Sequence, residues 1–305
     1  MSTNTFRAAV VRTPGGPDSI EIVDVPVVAP GPGQVLVNVS AAPVNPVDLA
    51  VADGVFHARG LVNQPQWTGL GWDFAGTVAV AGPGVDLRQG TPVAGLIAGF
   101  DRDFGTYAEQ LVVPAADVAV VPDGLDLVSA ATVPVNGLAA AQILDILGDP
   151  LPGHNRLLVT GAAGVVGGFL IPLAQERGWQ VTGLARIQDE QFVRGLGAEF
   201  TTSAERGWDA VADGAALQEQ GLALVRDGGI FVGVQPGSEP AGERNITVAA
   251  VVTRPDGARL ADLLDQVASG RLPTRVHAVV GLDQAADAHR AMAAGGVRGR
   301  YVLKP

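Results

Sequence analysis

The stretch Leu157-Leu158-Val159-Thr160-Gly161-Ala162-Ala163-Gly164-Val165-Val166-Gly167-Gly168 combines residue types that can hold a phosphate. Strand-forming residues run into a turn of very small residues, and the turn leads into an apolar, helix-like segment. Ala162, Gly164 and Gly167 take the three positions of the dinucleotide-binding fingerprint, with alanine where the first glycine usually stands. Small residues let the backbone approach a pyrophosphate, and the N–H groups at the helix start point at it. The same turn is also an ordinary strand-to-helix connection, so residues downstream have to decide. An NAD site places Asp or Glu about 20 residues further on, at the end of the second strand, where it binds the ribose hydroxyls. Here Val181-Thr182-Gly183-Leu184-Ala185 ends in Arg186, and the first acids, Asp189 and Glu190, lie beyond it. An arginine at that point can grip a 2′-phosphate bidentately, or it can be a solvated surface residue. The missing acid favours the phosphate reading, and with it NADPH.

Other side chains with chemical potential are few. Asn45 lies between Pro43 and Pro46 in a loop, where its amide can satisfy the turn through its own backbone. Tyr107, within Gly105-Thr106-Tyr107-Ala108-Glu109, reads as a packing residue. His57, His154, His277 and His289 are scattered without metal-ligand spacing, and the chain has no cysteine. A thiolate-bound metal, a cysteine nucleophile and a disulfide are therefore all excluded. The net charge of −11 and the scatter of the arginines argue against a nucleic-acid surface. Lys304 is the only lysine, a bias that points to genome composition rather than to function.

The elements that must position these residues change style along the chain. Residues 7–121 hold short strand candidates punctuated by Gly and Pro: Arg7–Val11, Ile20–Val25, Gln34–Val39, Leu70–Val80, Pro92–Leu96 and Gly105–Val113. They predict a compact β-rich domain of the partly closed barrel type. Residues 127–147 read as two helices broken at Asn136-Gly137. From Leu157 to about Gly233 strands alternate with helices, the mark of a doubly wound parallel sheet. Expected strands are Leu157–Thr160, Gln180–Leu184, Ala210–Ala212 and Gly229–Val234; expected helices are Val165–Arg177, Glu190–Leu196, Ala216–Leu224 and Asp256–Gly270. Pro172 falls inside the fingerprint helix, where it removes a backbone hydrogen bond. The tail from Val276 returns to the first style. The fold class is thus α/β, with a Rossmann-type domain at residues 124–271 inserted into a discontinuous β-rich domain at residues 1–123 and 272–305. A cofactor in one domain and substrate in the cleft between them is the expectation. With 47% hydrophobic residues and no apolar run near the roughly 20 residues a bilayer needs, a cytoplasmic protein without membrane contact is expected. Met1–Arg7 carries no secretory signal pattern.

Several stretches then match one pattern in order and spacing. Ala41-Ala42-Pro43-Val44-Asn45-Pro46-Val47-Asp48, Leu70-Gly71-Trp72-Asp73-Phe74-Ala75-Gly76, Gly105-Thr106-Tyr107-Ala108-Glu109, the fingerprint, and Gly295-Gly296-Val297-Arg298-Gly299-Arg300-Tyr301-Val302-Leu303 resemble the medium-chain dehydrogenase/reductase superfamily. The resemblance is closest to its zinc-independent quinone oxidoreductase branch, the zeta-crystallin-like enzymes. It implies a GroES-like catalytic domain, a Rossmann domain, NADPH as reductant and a homodimer. In zinc-dependent relatives a cysteine stands where Asn45 is, a histidine where Trp72 is and a glutamate where Asp73 is. The proton-relaying serine or threonine would fall at Val47, so a zinc alcohol dehydrogenase is disfavoured.

The resemblance also implies roles. Asn45 would lie at the nicotinamide end of the site, a catalytic residue whose amide holds a substrate oxygen as negative charge develops. The cofactor would be bound by Asn45, Asn136, Gly161, Ala162, Ala163, Gly164, Val165, Val166, Gly167 and Arg186. Gly233, Val234 and Gln235 would sit beside the nicotinamide. Arg298 and Arg300 either approach its phosphates or are exposed. Phe56, Trp67 and Phe100 would line the substrate pocket. Relatives carry a tyrosine near Phe56, which has no hydroxyl, leaving water or a ribose hydroxyl to deliver the proton. Asp48 is expected to anchor the helix that follows it. The function implied is hydride transfer from NADPH to a quinone or an enone. The alternatives are an enoyl reductase for thioester-linked substrates and a non-catalytic NADPH-binding redox sensor.

Overall fold

The computed structural model describes residues 5–305, so the reading of the first residues as lacking a leader lies partly outside the described residues. In chain order the first elements are β1 (Thr5–Val11), β2 (Ile20–Pro26), β3 (Gln34–Pro43), α1 (Pro46–Ala52), α2 (Val55–Ala58), β4 (Thr68–Gly69), β5 (Asp73–Ala81), β6 (Pro92–Leu96), β7 (Gln110–Pro114), β8 (Val118–Val120), α3 (Leu127–Ala131) and α4 (Pro134–Leu147). An alternating series follows: β9 (Arg156–Thr160), α5 (Val165–Glu176), β10 (Gln180–Leu184), α6 (Glu190–Gly195), β11 (Glu199–Thr201), β12 (Trp208–Asp213), α7 (Glu219–Leu224), β13 (Val225–Gly233) and β14 (Thr247–Ala250). The chain closes with α8 (Gly257–Ala268), β15 (Val276–Gly281), α9 (Ala285–Ala293) and β16 (Arg300–Lys304). Among the described residues no helix is long and apolar enough to cross a membrane.

Two compact units result. The first comprises residues 1–135, 255–269 and 274–305, and the second residues 136–254 and 270–273. The first is built on a three-stranded sheet, β2-β1-β4, and a larger sheet in the order β15-β16-β3-β5-β6-β8, with β7 also pairing β3. Its core gathers the inward side chains of the central strands, among them Val35, Val37, Phe74, Val78, Leu111, Val113 and Leu303, because each strand buries alternate residues. The second unit is a six-stranded parallel sheet in the order β11-β10-β9-β12-β13-β14, the doubly wound arrangement. Leu157, Leu158 and Val159 are all fully buried, as strands covered on both faces require.

The structure departs from the sequence reading at identifiable points. The break before α4 falls at Thr132 and Val133, and Asn136 and Gly137 lie inside the helix. Pro134 opens α4 because its missing N–H has no acceptor to find in a first turn. β3 continues to Pro43 rather than stopping at Val39, since Ala41 pairs with Ala75, and Ala42 and Pro43 pair with β16. The strand expected from Gly105 begins only at Gln110, because residues 105–109 cross between sheets: Ala9 N donates to Tyr107 O while Tyr107 N donates to Leu70 O. α7 starts at Glu219, later than expected, because Ala216 and Gln218 have φ of 54° and 55°, outside helical space. β8, β11 and β14 were too short to read from periodicity. The contact boundaries also differ from the expected ones: α3 and α8 belong with the first unit. α8 packs there so closely that a methyl group on Gly257 would lie 2.4 Å from the Ala116 carbonyl oxygen.

Candidate active site

In the second unit the fingerprint forms a tight turn. Gly164 N donates to Gly161 O at 2.7 Å, and Gly164 is the N-cap of the twelve-residue α5. Glycine supplies no side chain to cap that end, so the first-turn N–H groups depend on an outside acceptor. A Cβ on Gly167 would lie 2.5 Å from Gly161 O and 2.8 Å from Ala162 Cα, so only glycine lets helix and turn approach this closely. The cradle therefore fits a pyrophosphate by a steric criterion as well as by pattern. Ala162 is fully buried, and its methyl group is accommodated by glycine on the next strand. A Cβ on Gly183 would meet Ala162 Cβ at 2.7 Å. α5 runs through Pro172 without interruption, and nothing in the structure explains why proline is there.

The carboxyl ends of the parallel strands are tied together beneath this turn. Thr160 Oγ1 donates to Asp213 Oδ1 at 2.5 Å and accepts from Ala215 N at 3.1 Å, while Gln218 N donates to Asp213 Oδ2. Both Thr160 and Asp213 are buried, and neither was singled out from sequence. Gly233 ends β13 in a buried position, Val234 is half-buried, and Gln235 is exposed with its Oε1 accepting from Gln218 Nε2. Arg186 is exposed just past β10, and no carboxylate among the described residues pairs with it. Asn136 is buried on α4.

In the first unit Asn45 is the centre of a buried polar cluster. Its Nδ2 donates to Asp73 Oδ2 at 2.9 Å, and its Oδ1 accepts from Arg300 Nε at 2.9 Å. Asp73 Oδ1 in turn accepts from Val135 N at 2.7 Å. Asp48 accepts from Asn45 N at 2.8 Å and from Gly71 N at 3.0 Å, so it anchors the start of α1 as expected and also binds the segment leading into β5. Arg300 is thus turned into the cluster through Asn45, which the expectation of a phosphate-facing or exposed side chain did not foresee. Arg298 is half-buried nearby in sequence. Burial dominates the electrostatics. It pushes the Asp73 carboxyl up to about 8 against the Asn45 and Val135 hydrogen bonds, and the Asp48 carboxyl up to about 6. The same burial lowers Arg102 and Arg300 to about 10.

Tyr107 is fully buried, with its hydroxyl 3.3 Å from His289 Nε2, in keeping with a packing residue. Burial raises the Tyr107 phenol above its ordinary value and lowers His289 to about 4. Of the expected pocket residues, Phe56 and Phe100 come together as stacked rings with centroids 3.7 Å apart, and Phe100 leans on Trp72 at 5.4 Å. Trp67 is placed differently, its ring under the Arg12 guanidinium at 4.7 Å. The sequence reading missed Asp73 as an Asn45 partner, although a lone carboxylate at the head of an apolar strand was a usable signal. Arg102 carried none.

Comparison with known proteins agrees with this architecture. Residues 31–123 match the alcohol dehydrogenase GroES-like domain, and residues 188–303 match the zinc-binding dehydrogenase family. The structure of the quinone oxidoreductase from Coxiella burnetii superposes with a TM-score of 0.88 at 27% identity, covering 99% of this chain and 100% of that one. The chain belongs to the medium-chain dehydrogenase/reductase superfamily. Within it, the chain sits on the zinc-independent, quinone-oxidoreductase-like branch, and it is an oxidoreductase of that superfamily. A 2-haloacrylate reductase of Burkholderia sp is 28% identical over 98% of both chains. The trans-enoyl reductase pgmF of Aspergillus terreus is 32% identical over 62% of this chain, which spans 53%, about half, of that relative. The family description names zinc; where the resemblance puts the ligands of zinc-dependent relatives, this chain has Asn45, Trp72 and Asp73. Among the described residues no group of three or more His, Cys, Asp or Glu could hold a metal ion.

Proposed function

We propose that this chain is an NADPH-dependent reductase that delivers hydride to a quinone or to the β-carbon of an α,β-unsaturated carbonyl compound. The observation that carries the reading is the Asn45 amide, buried and held on one side by Asp73 and on the other by Arg300, where zinc-dependent relatives keep a metal ligand. NADPH, when bound, supplies the hydride. Residues 161–167 would hold its pyrophosphate, Arg186 its 2′-phosphate, and residues 233–235 its carboxamide. Asn45 would stabilise the enolate oxygen as charge develops, in a preorganised site that needs no reorganisation during reaction. Asp73 and Arg300 act as positioning residues that fix which way the amide faces. The proton that completes the α-carbon would come from water or a ribose hydroxyl of the cofactor, because Phe56 lacks a hydroxyl and Tyr107 is sealed in the core. The relatives' names, trans-enoyl reductase, 2-haloacrylate reductase and quinone oxidoreductase, share an electron-poor conjugated acceptor, which supports this class.

The test is NADPH oxidation followed against a panel of quinones and enones, with Asn45→Ala alongside. The expected outcome is turnover by the wild-type chain, with kcat falling about 100-fold in Asn45→Ala and KM for NADPH nearly unchanged. Tight NADPH binding with no acceptor reduced would instead favour a redox-sensing protein. An enoyl reductase for thioester-linked acceptors is the second reading, supported by the match to pgmF, and an acyl-thioester in the panel separates it. A homodimer goes with the leading reading and is checked by sedimentation.

A further inference from the structure

Among the described residues seven buried side-chain polar atoms have no hydrogen-bond partner, and four of them share one neighbourhood: His57 Nδ1, Trp72 Nε1, Arg102 Nε and Thr106 Oγ1. Residues 68–72 connect them. His57 Nε2 lies 3.1 Å from Thr68 Oγ1, and Gly69 N donates to Arg102 O. Arg102 donates through its two terminal nitrogens to Gly71 O at 2.5 Å and Ile97 O at 2.8 Å, and Thr106 N donates to Gly71 O at 3.2 Å. The Arg102 guanidinium carbon lies 5.4 Å from the centre of the Trp72 ring. Folded proteins satisfy nearly all buried polar groups, so this concentration calls for a specific partner.

The chemistry of the orphaned atoms states what that partner is. An indole N–H and a guanidinium Nε–H only donate, so the partner must accept. Trp72 is only 7% exposed, and the Arg102 guanidinium is fixed by two backbone carbonyls, so neither donor can turn to water at low cost. An anionic oxygen next to a guanidinium makes the stronger, charge-assisted bond. The local charges agree: Arg102 interacts with Asp48 and Arg300 with Asp73 and Asp48, and burial keeps a proton on Asp73 near neutrality. Phe56 and Phe100 form a flat apolar wall beside Trp72. The loop that carries Phe100 is held by Asp101 Oδ1, which accepts from Asn63 N and Gln64 Nε2.

We propose that Trp72 Nε1 and Arg102 Nε form a binding subsite for a carboxylate carried by the substrate. The preferred acceptors are then conjugated carbonyl compounds bearing a free carboxylate. This rests on the reductase reading above and narrows its substrate class.

The matched probes are β-acetylacrylate and its methyl ester, which share the enone and differ only in the anion. The wild-type kcat/KM is expected to favour the acid by at least about tenfold, the size of one to two charge-assisted hydrogen bonds. Trp72→Phe keeps the ring and removes the N–H, and Arg102→Lys keeps the charge and removes the fork. Each is expected to lower the acid-to-ester ratio about tenfold. Levulinate, which lacks the conjugated double bond and so offers no β-carbon to hydride, provides a binding readout by calorimetry without NADPH and is expected to bind about tenfold more weakly to Trp72→Phe. Thermal melts of the variants report folding separately. Equal rates for acid and ester, or a ratio that Trp72→Phe leaves alone, overturns the subsite and assigns the orphaned atoms to ordered water. If no acceptor is reduced the reductase reading fails, and levulinate binding still decides the subsite: binding weakened in Trp72→Phe upholds it, and no binding or unchanged binding removes it.

Discussion

Asn45 shows how a side chain with no acid–base chemistry can be made useful by its neighbours. Its oxygen is taken by Arg300 and one of its N–H groups by Asp73, so the amide cannot flip without breaking both bonds. Arg186 is a different case, an exposed cation whose value lies in what it lacks. With no carboxylate paired to it among the described residues, its guanidinium is open to a phosphate. Arg186→Ala is therefore expected to raise KM for NADPH about tenfold or more while moving KM for NADH far less, read by steady-state kinetics with each cofactor. Loss of equal size for both cofactors would assign Arg186 to general solvation.

At the scale of elements, the fingerprint turn depends on a division of labour between two strands. The alanine at the first fingerprint position is compatible with close packing because Gly183 on β10 leaves room for its methyl group. Gly183→Ala is expected to cost about 2 kcal/mol through overpacking, seen as a lower midpoint in urea or thermal melts. Adding Ala162→Gly should recover only part of it, because the new methyl group would still meet Val193 Cγ1 at 2.6 Å. Full recovery would show that Val193 yields freely. Much of this unit was legible in sequence for a physical reason: the buried parallel strands are continuous apolar runs, and the turn uses residues few other contexts require. β10 matched residue for residue, and the termini of β9 and α5 shifted by one. The Asn45 cluster was only half legible. Asn45 stood out between two prolines, but its partners lie 28 and 255 residues away, and no periodicity encodes such pairings. Arg102 sits in a polar loop where every neighbour looks solvated, so only the folded chain reveals that its head is held by backbone carbonyls.

The molecule as a whole should carry the mark of these buried groups in its stability. Asp48 and Asp73 have folded pKa values raised above their ordinary 3.8, so the folded state binds more protons than the unfolded state in that range. Their contribution is fully present at low pH and is lost as pH rises through about 6 and about 8. His289 works the other way. Its value is lowered to about 4, so its contribution is present above 6.5 and lost as pH falls through 4. Melting temperatures should therefore decline as pH rises from about 4 to about 8, with His289 opposing the fall between about 4 and 6.5. Asp73→Asn is expected to flatten that decline and His289→Gln to steepen its lower part. An alkaline limb unchanged in Asp73→Asn would mean that Asp73 stays ionised in the fold.

The first unit is interrupted in sequence, and that has a consequence for synthesis on the ribosome. β3 obtains one of its partners, β16, and Asn45 obtains Arg300, only after the whole of the second unit has been made. The second unit is nearly continuous and can fold as it emerges, whereas the first must wait with the edge of β3 unpaired beside β16's future place. Loop closure over such a span is entropically modest but slow. The nascent chain thus completes its second unit first and its Asn45 cluster last, so on the proposed function ribosome-bound intermediates would hold nucleotide before they could hold a substrate oxygen.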